Sequence, residues 1–370
     1  MPALDDVVDP PGGAAWARPI ARFDEAWQRL EARLCAGVLV AEVSALAAWI
    51  SLKGLSIDWT SGGGAAGLAY RSLVSAAALG LAAHGLARAG KRGGAPTAHA
   101  VAVTCAMAAG VVLGRAWAHL GVAWASNALN WLQNASALML VGGLRGLATR
   151  LTLWLALLGA SLATSRGKHI HVDVFVRYLP ARARGPTAVA GWVAAAVVCA
   201  VGVVGFVDYI AIAEYRANAV APCPGSPEHS CDTTFGERLA TVRRLTASDF
   251  FLLGRQASLD VHSLPRVLAG AAYDKWMTGQ EWNAWLDGAD WAGHFDPAAV
   301  EALRADASAP SALRSPQVSV PGTGEDARGL LIRELNFVFP FGLAVVALKL
   351  LLRAALVVAG RARADAEGAA

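Results

Sequence analysis

Residues Leu151–Pro180 read LTLWLALLGASLATSRGKHIHVDVFVRYLP. An apolar helical pattern carrying Trp154 passes through Leu158-Gly159-Ala160 and breaks at the basic turn Arg166-Gly167-Lys168. It resumes as His169-Ile170-His171-Val172-Asp173 and a short amphipathic segment closed by Leu179-Pro180. The first half has the character of a transmembrane helix. The second half is a polar element suited to the membrane surface. The pair predicts an all-α integral membrane protein.

The rest of the chain supports that class. Of 370 residues, 55% are hydrophobic and only 16% are charged, against about 25% charged in soluble domains. The apolar residues fall in blocks near the ~20 residues a helix needs to cross a hydrocarbon layer. About six spans are expected, near 34–53, 66–87, 100–121, 145–165, 188–212 and 335–357. The net charge of +4 is modest, and the basic residues lie between spans without interleaved aromatics. Membrane lipids, not nucleic acid, are the expected partner of such charges. No secretory signal pattern precedes the first apolar run, so that span is expected to be retained.

Four domain segments follow. Residues 1–33 form an N-terminal segment in which Phe23, Trp27, Leu30 and Leu34 share one helical face and Arg18, Arg22, Arg29 and Arg33 the other. This reads as an amphipathic helix on the cytoplasmic membrane surface. Residues 34–214 form the membrane domain. Residues 215–333 form a mainly helical or irregular periplasmic insertion, and 334–370 the last span with a cytoplasmic tail. Arg88, Lys91 and Arg92, then Arg166, Lys168, Arg177, Arg182 and Arg184, then Arg361 and Arg363 mark loops that the positive-inside rule places in the cytoplasm. Both termini are then inside.

Between the third and fourth spans, residues 125–141 are apolar but interrupted by Asn127, Asn130, Gln133 and Asn134. Unpaired amides are costly in lipid, so this stretch is expected at the interface or shielded by protein. In the insertion, Trp276, Trp282, Trp285 and Trp291 suggest a small core or a surface resting on the membrane, Asp296-Pro297 a helix start, and Ser308–Arg328 an extended tether. Small-residue spacings at Gly110/Gly114 and Gly142/Gly146 suit close helix packing.

Of the five cysteines, Cys35, Cys105 and Cys199 lie in apolar runs. Cys223 and Cys231 lie in a polar segment, where an oxidising compartment would favour a disulfide. Glu42, well inside the first span, is the intramembrane polar candidate, either functional or held by a neighbouring helix. Arg71, Arg115 and Arg150 sit near span ends and are expected to snorkel or pair. Lys349 and Arg353 at the inner end of the last span are expected to snorkel. His169, His171 and Asp173 have metal-ligand chemistry but no matching further ligands. The apolar face of Val172, Phe175, Val176 and Leu179, with Asp173 and Arg177 four residues apart, favours a surface helix instead. No metal, cofactor or catalytic residue is assigned. A phosphate-binding Gly-Lys-Ser/Thr loop is absent from the sequence, so ATP hydrolysis in this chain is not expected.

The stretch from Trp154 through Gly159, Gly167-Lys168, His169, Ile170, Val172, Asp173, Leu179 and Pro180 resembles the small permease subunit of tripartite ATP-independent periplasmic (TRAP) transporters. The last span, with Phe339-Pro340-Phe341-Gly342 and Leu348-Lys349-Leu350, is similar to that family's closing helix. The family usually has four spans and about half this length, so the spans at 66–121 and the segment 215–333 are additions. Where the family often carries an acidic pair, this chain has Arg145-Gly146. The resemblance implies a non-enzymatic, stator-like subunit of the bacterial inner membrane. Its implied partners are a large permease subunit and a periplasmic solute-binding protein, with uptake of an organic acid driven by an ion gradient. The competing reading is a membrane-anchored periplasmic binding or sensory module.

Overall fold

The computed structural model describes residues 15–57, 64–89, 96–116, 120–165, 180–223, 226–272, 275–306 and 313–360. A 3-10 turn at Ala15–Ala17 leads into α1 (Arg18–Ser56), followed by α2 (Gly64–Ala89), α3 (Pro96–Ala116) and α4 (Leu120–Asn134). A 3-10 segment, Ala137–Val141, precedes α5 (Gly143–Ser165) and α6 (Ala181–Ala213). The hairpin β1 (Val220–Cys223) and β2 (Ser226–Asp232) precedes α7 (Phe235–Leu268). Then come β3 (Met277–Thr278), α8 (Gly279–Asp287), α9 (Pro297–Glu301), β4 (Leu313–Arg314), α10 (Ile332–Leu335) and α11 (Val338–Val358). The fold is all-α but for two small antiparallel pairs, β1-β2 and β3-β4.

Five helices are long and apolar enough to cross a membrane: α1, α2, α3, α6 and the stretch Ile332–Val358. The expected span at 145–165 is a helix, α5, but it is not among the five. It has 23 residues, with Arg145 and Arg150 in its first turns. The expected break between an amphipathic segment and the first span is absent. Arg18–Ser56 is one 39-residue helix, about 58 Å long at 1.5 Å per residue, which exceeds the ~30 Å hydrocarbon core.

The chain divides into two compact units. The first comprises Met1–Glu42, Ala148–Thr246 and Leu331–Ala370. Here α6 and α11 pack through Trp192, Ala196 and Cys199 against Val346, Ala347 and Leu350. Phe206 stacks on Phe339 with ring centroids 5.8 Å apart. Beyond the end of α6, Ile210, Ala211, Tyr215, Ala217 and Val242 form a small core capped by Leu245 and Phe337.

The second unit comprises Val43–Leu147 and Ala247–Leu330. Within it α2 and α3 approach closely at the Gly110/Gly114 spacing. A Cβ on Gly110 would lie 2.5 Å from the Ala76 Cα, and one on Gly114 would lie 2.5 Å from the Ser72 Cα. Ser72 Oγ donates to the Val111 carbonyl across this seam at 3.2 Å. The Gly142/Gly146 spacing has another use. Gly142 (φ 84°) and Gly143 (φ 74°) adopt the left-handed conformation that turns the chain from the 3-10 segment into α5. No side chain packs through that pair as a helix seam.

The 125–141 stretch is shielded by protein. Helix α4 has 15 residues, too few for a span. Asn127 donates to the Ala271 carbonyl, and Ala125, Ala128 and Leu129 are buried. Facing it, fully buried Gln256 on α7 joins distant strands of chain. Its Nε2 donates to the carbonyls of Ala135 (2.9 Å) and Pro316 (3.0 Å), and its Oε1 accepts from the Val318 N–H (2.9 Å). Asp260, one turn on, accepts from the Ala137 N–H at 2.7 Å, and burial raises its carboxyl pKa. The expected tether at 308–328 is therefore corrected over its described part. Pro316 and Val318 are buried, because their backbone groups find hydrogen bonds in the interior.

The tryptophans of the insertion form a core. Trp276 and Trp282 are fully buried, and each indole N–H has an acceptor, Ala271 at 2.6 Å and Leu303 at 2.8 Å. Arg314 lies over the Trp282 ring, 3.7 Å from its centroid. Helix α8 starts with a capping box of Thr278 and Glu281. Asp296 caps α9, as the Asp296-Pro297 start signal predicts, and the helix ends at Glu301.

Two predictions follow from these interactions. Gln256→Leu strips partners from three buried backbone groups and should lower the stability of the second unit by about 2–3 kcal/mol, read as faster limited proteolysis between residues 313 and 330. Arg266 donates to both oxygens of Glu281, at 2.5 and 3.0 Å. That pairing holds the Glu281 carboxyl down to about 2, from an ordinary 4.5. A depressed folded pKa adds stability that is complete above the ordinary value and lost as pH falls through 4.5 toward 2. Glu281→Gln should flatten the acid limb of thermal stability in that window and leave its shape at neutral pH unchanged.

Candidate functional site

The first unit brings α1, α5 and α11 together around a charge buried in the membrane-spanning part of the chain. The Lys349 ammonium on α11 sits 2.6 Å from Glu31 Oε2 on α1, and both side chains are only 2% exposed. The other Glu31 oxygen accepts from Trp27 Nε1 at 2.8 Å and from Ser161 Oγ on α5 at 2.8 Å. Three side chains from three helices thus share one carboxylate. The expected snorkelling of Lys349 is overturned: its head reaches Glu31 within the protein. An amine in a low-dielectric interior needs a countercharge more than it needs the distant water. Arg353, one turn later, lies over the Trp192 ring with its guanidinium carbon 5.0 Å from the centroid, an arrangement that favours a cation against an aromatic face.

Sequence reasoning missed this cluster. Glu31 lies among Arg22, Arg29 and Arg33, a pattern that suggests a solvated face, and Lys349 lies close enough to a helix end to suggest snorkelling. The available signal was complementarity: an acid and an amine, each inconveniently placed, on helices of one bundle.

Glu42 is half-buried on α1. Its Oε1 accepts from Thr152 Oγ1 on α5 at 2.7 Å. Its Oε2 is shielded from solvent and accepts no hydrogen bond from the described residues. A second polar layer lies around α10 and the start of α11. Arg150 Nη1 donates to Asn336 Oδ1 at 2.9 Å, Tyr215 Oη donates to Glu334 Oε1 at 3.0 Å, and Asn336 Nδ2 donates to Glu214 Oε1 at 3.3 Å. Arg333 lies over the Tyr215 ring, 4.6 Å away. Burial pushes the Tyr215 hydroxyl pKa well up.

The other residues singled out in the sequence divide as follows. Trp154 packs its ring against Phe341 on α11 with centroids 5.8 Å apart, and its indole N–H is buried without an acceptor among the described residues. Gly159 faces open space, with no atom within 4 Å of a notional Cβ. Pro180 is the N-cap of α6, where its carbonyl accepts from the Ala183 N–H at 2.8 Å. Gly167, Lys168, His169, Ile170, His171, Val172, Asp173, Arg177 and Leu179 lie outside the described residues. Cys223 and Cys231 are bonded to each other across the β1-β2 hairpin. Among the described residues, no group of three or more His, Cys, Asp or Glu side chains could hold a metal ion.

In the second unit, a surface cavity of about 300 Å³ is lined by Asp287, Asp290, Trp291, Glu301 and Arg304. Its cation is already engaged, since Arg304 pairs with Asp287 at 2.5 Å and with Glu301 at 2.8 Å. The first unit thus neutralises its buried charge at Glu31 and Lys349 and holds a few buried polar atoms that find no partner among the described residues.

The ion pair makes a specific prediction. Lys349→Met alone strands a buried carboxylate and should cost about 3–5 kcal/mol. Glu31→Leu combined with Lys349→Met should recover most of that loss, measured by thermal unfolding of the detergent-solubilised protein.

No curated protein and no solved structure matches the chain. Residues 141–229 do match a family, described as the tripartite ATP-independent periplasmic transporters, DctQ component. That segment contains α5, α6 and the first strand of the hairpin, with the His169–Asp173 motif between the two helices. Over residues 141–229 the chain is thus similar to the DctQ component, the small membrane permease subunit of TRAP transporters.

Proposed function

We propose that this protein is the stator-like small subunit of a TRAP-type secondary transporter, joined to a large permease subunit and served by a periplasmic solute-binding protein. The match over residues 141–229 carries the reading. The bundle chemistry supports it. The one buried lysine–glutamate pair of the first unit is internally neutralised, as suits a structural support more than a pathway for an ion or substrate. Transport of an organic acid, driven by an ion gradient, then belongs to the large subunit.

In this reading both termini and the His169–Asp173 motif face the cytoplasm, and residues 215–333 face the periplasm. The basic loops follow that orientation under the positive-inside rule, and the Cys223–Cys231 bond suits an oxidising compartment. The large subunit docks on the α1–α5 side of the bundle. There Val40 exposes apolar surface at 64%, and Glu42 retains a carboxylate oxygen that accepts from none of the described residues. Such an intramembrane carboxylate suits a hydrogen-bond donor on an adjoining helix.

The test is affinity capture from mild detergent. The intact protein should recover a larger multispanning chain in stoichiometric yield, and recovery of this chain alone from a host that expresses the complete transporter would overturn the proposal. Glu42→Ala should lower recovery of the large subunit by roughly ten-fold, corresponding to about 1.4 kcal/mol. The thermal unfolding of the isolated subunit should change little.

A further inference from the structure

Arginines meet the tryptophan core of the second unit in two ways. Arg266 pairs with Glu281, and Arg304 with Asp287 and Glu301. Arg255 of α7 and Arg314 of β4 lie on indole rings instead. The Arg255 guanidinium carbon is 4.4 Å from the Trp285 centroid and 5.5 Å from that of Trp291. The Arg314 carbon is 3.7 Å from the Trp282 centroid, and the Trp282 and Trp285 centroids are 4.8 Å apart. Two guanidiniums and two indoles thus form one continuous stack.

The stack holds donors and charge but lacks acceptors. Arg255 Nε, Arg314 Nε and Trp285 Nε1 are shielded from solvent, and none of them finds an acceptor among the described residues. The adjoining indoles do find one, since Trp282 donates to the Leu303 carbonyl at 2.8 Å and Trp291 to the Leu286 carbonyl at 2.9 Å. Among the described residues no carboxylate offsets either cation, and burial alone pushes both guanidinium pKa values down. Nearby acids are engaged elsewhere: Asp260 accepts from the Ala137 N–H and Asp290 from the Ala292 N–H. Buried donors and charges without partners are costly in a folded chain. Three such donors in one stack, two of them cationic, mark a place for an anion with more than one acceptor oxygen.

We propose that this stack binds a small organic dicarboxylate, with its carboxylates held by Arg255 and Arg314 and the Trp285 N–H donating to one of them. The guanidinium fork matches the two oxygens of a carboxylate. A guanidinium is weakly hydrated, and the indoles offer apolar surface to a carbon skeleton, so an organic acid suits the place better than a strongly hydrated phosphate. Two cations favour two carboxylates over one. Both arginines are half-buried, so part of each side chain reaches the surface, where a ligand arrives. The site lies within the second unit, apart from Glu31, Glu42 and the matched segment. It does not rest on the transporter reading, and its failure would leave that reading intact.

The experiment titrates the full-length protein in nanodiscs with succinate, acetate, inorganic phosphate or sodium chloride at matched ionic strength. Tryptophan fluorescence and thermal unfolding are read together. Succinate should give a saturable response with half-saturation at about 1 mM or below. Acetate should bind roughly ten-fold more weakly, and phosphate more weakly than succinate. Arg255→Gln with Arg314→Gln should weaken succinate about ten-fold or more, and Trp285→Phe, which keeps a ring and removes the N–H, about three-fold. Arg328→Gln, at an exposed arginine of the same unit, should leave the titration unchanged. If the double variant does not fold, Trp285→Phe decides, and an unchanged titration there overturns the proposal. No saturable response, an equal response to chloride, or a response that survives in a folded double variant would also overturn it. Phosphate binding tighter than succinate would overturn the carboxylate assignment. A response that appears only in Asp274→Asn would show the chain's own acid filling the place, and would overturn the site.

Discussion

A lysine ammonium at 2% exposure, 2.6 Å from an equally buried glutamate, is the constraint around which the first unit is organised. A charge in a low-dielectric interior is tolerable only with its partner at hydrogen-bond distance and the remaining lone pairs occupied. Glu31 meets both conditions by drawing on Trp27 of its own helix, Ser161 of α5 and Lys349 of α11. Those requirements fix the rotation of three helices at once. Lipid offers little hydrophobic drive for helix association, so a polar tie with a single good geometry is an effective way to select one packing. Trp154 against Phe341 and Phe206 against Phe339 then fill the space on either side.

The second unit obeys the same rule outside the lipid. Gln256 and Asp260 satisfy backbone groups from three remote segments, at Ala135–Ala137, Pro316 and Val318. A Pro/Ser-rich stretch with the composition of a linker is thereby drawn into a core. The tryptophans work alongside, each buried indole donating to a carbonyl while its ring supplies apolar area. Outside the matched segment, the chain thus has a folded unit that combines α2, α3 and α4 with most of the 215–333 segment.

The matched segment and the buried ion pair come from different parts of the chain. Residues 141–229 contain Trp154, Gly159 and Pro180, yet Glu31 and Lys349 lie outside it on both sides in sequence. The bundle closes only when the N-terminal helix and the last helix return to the matched segment, whose Ser161 donates to Glu31.

The membrane character, the approximate positions of the apolar blocks, the family and the shielding of residues 125–141 were legible in the sequence, because each rests on local composition or on a contiguous motif. The Gly110/Gly114 seam was legible too, since spacing along one helix shows which residues share a face. The Glu31–Lys349 pair, the inward course of Pro316 and Val318, and the use of Gly142 and Gly143 as a turn were not. Each depends on a partner or a backbone angle supplied by a distant part of the chain. Hydrophobic length is a property of one segment, so the sequence by itself determined that this protein enters a membrane. The satisfaction of a buried charge or amide is a property of several segments meeting in space, and only the tertiary structure decided it.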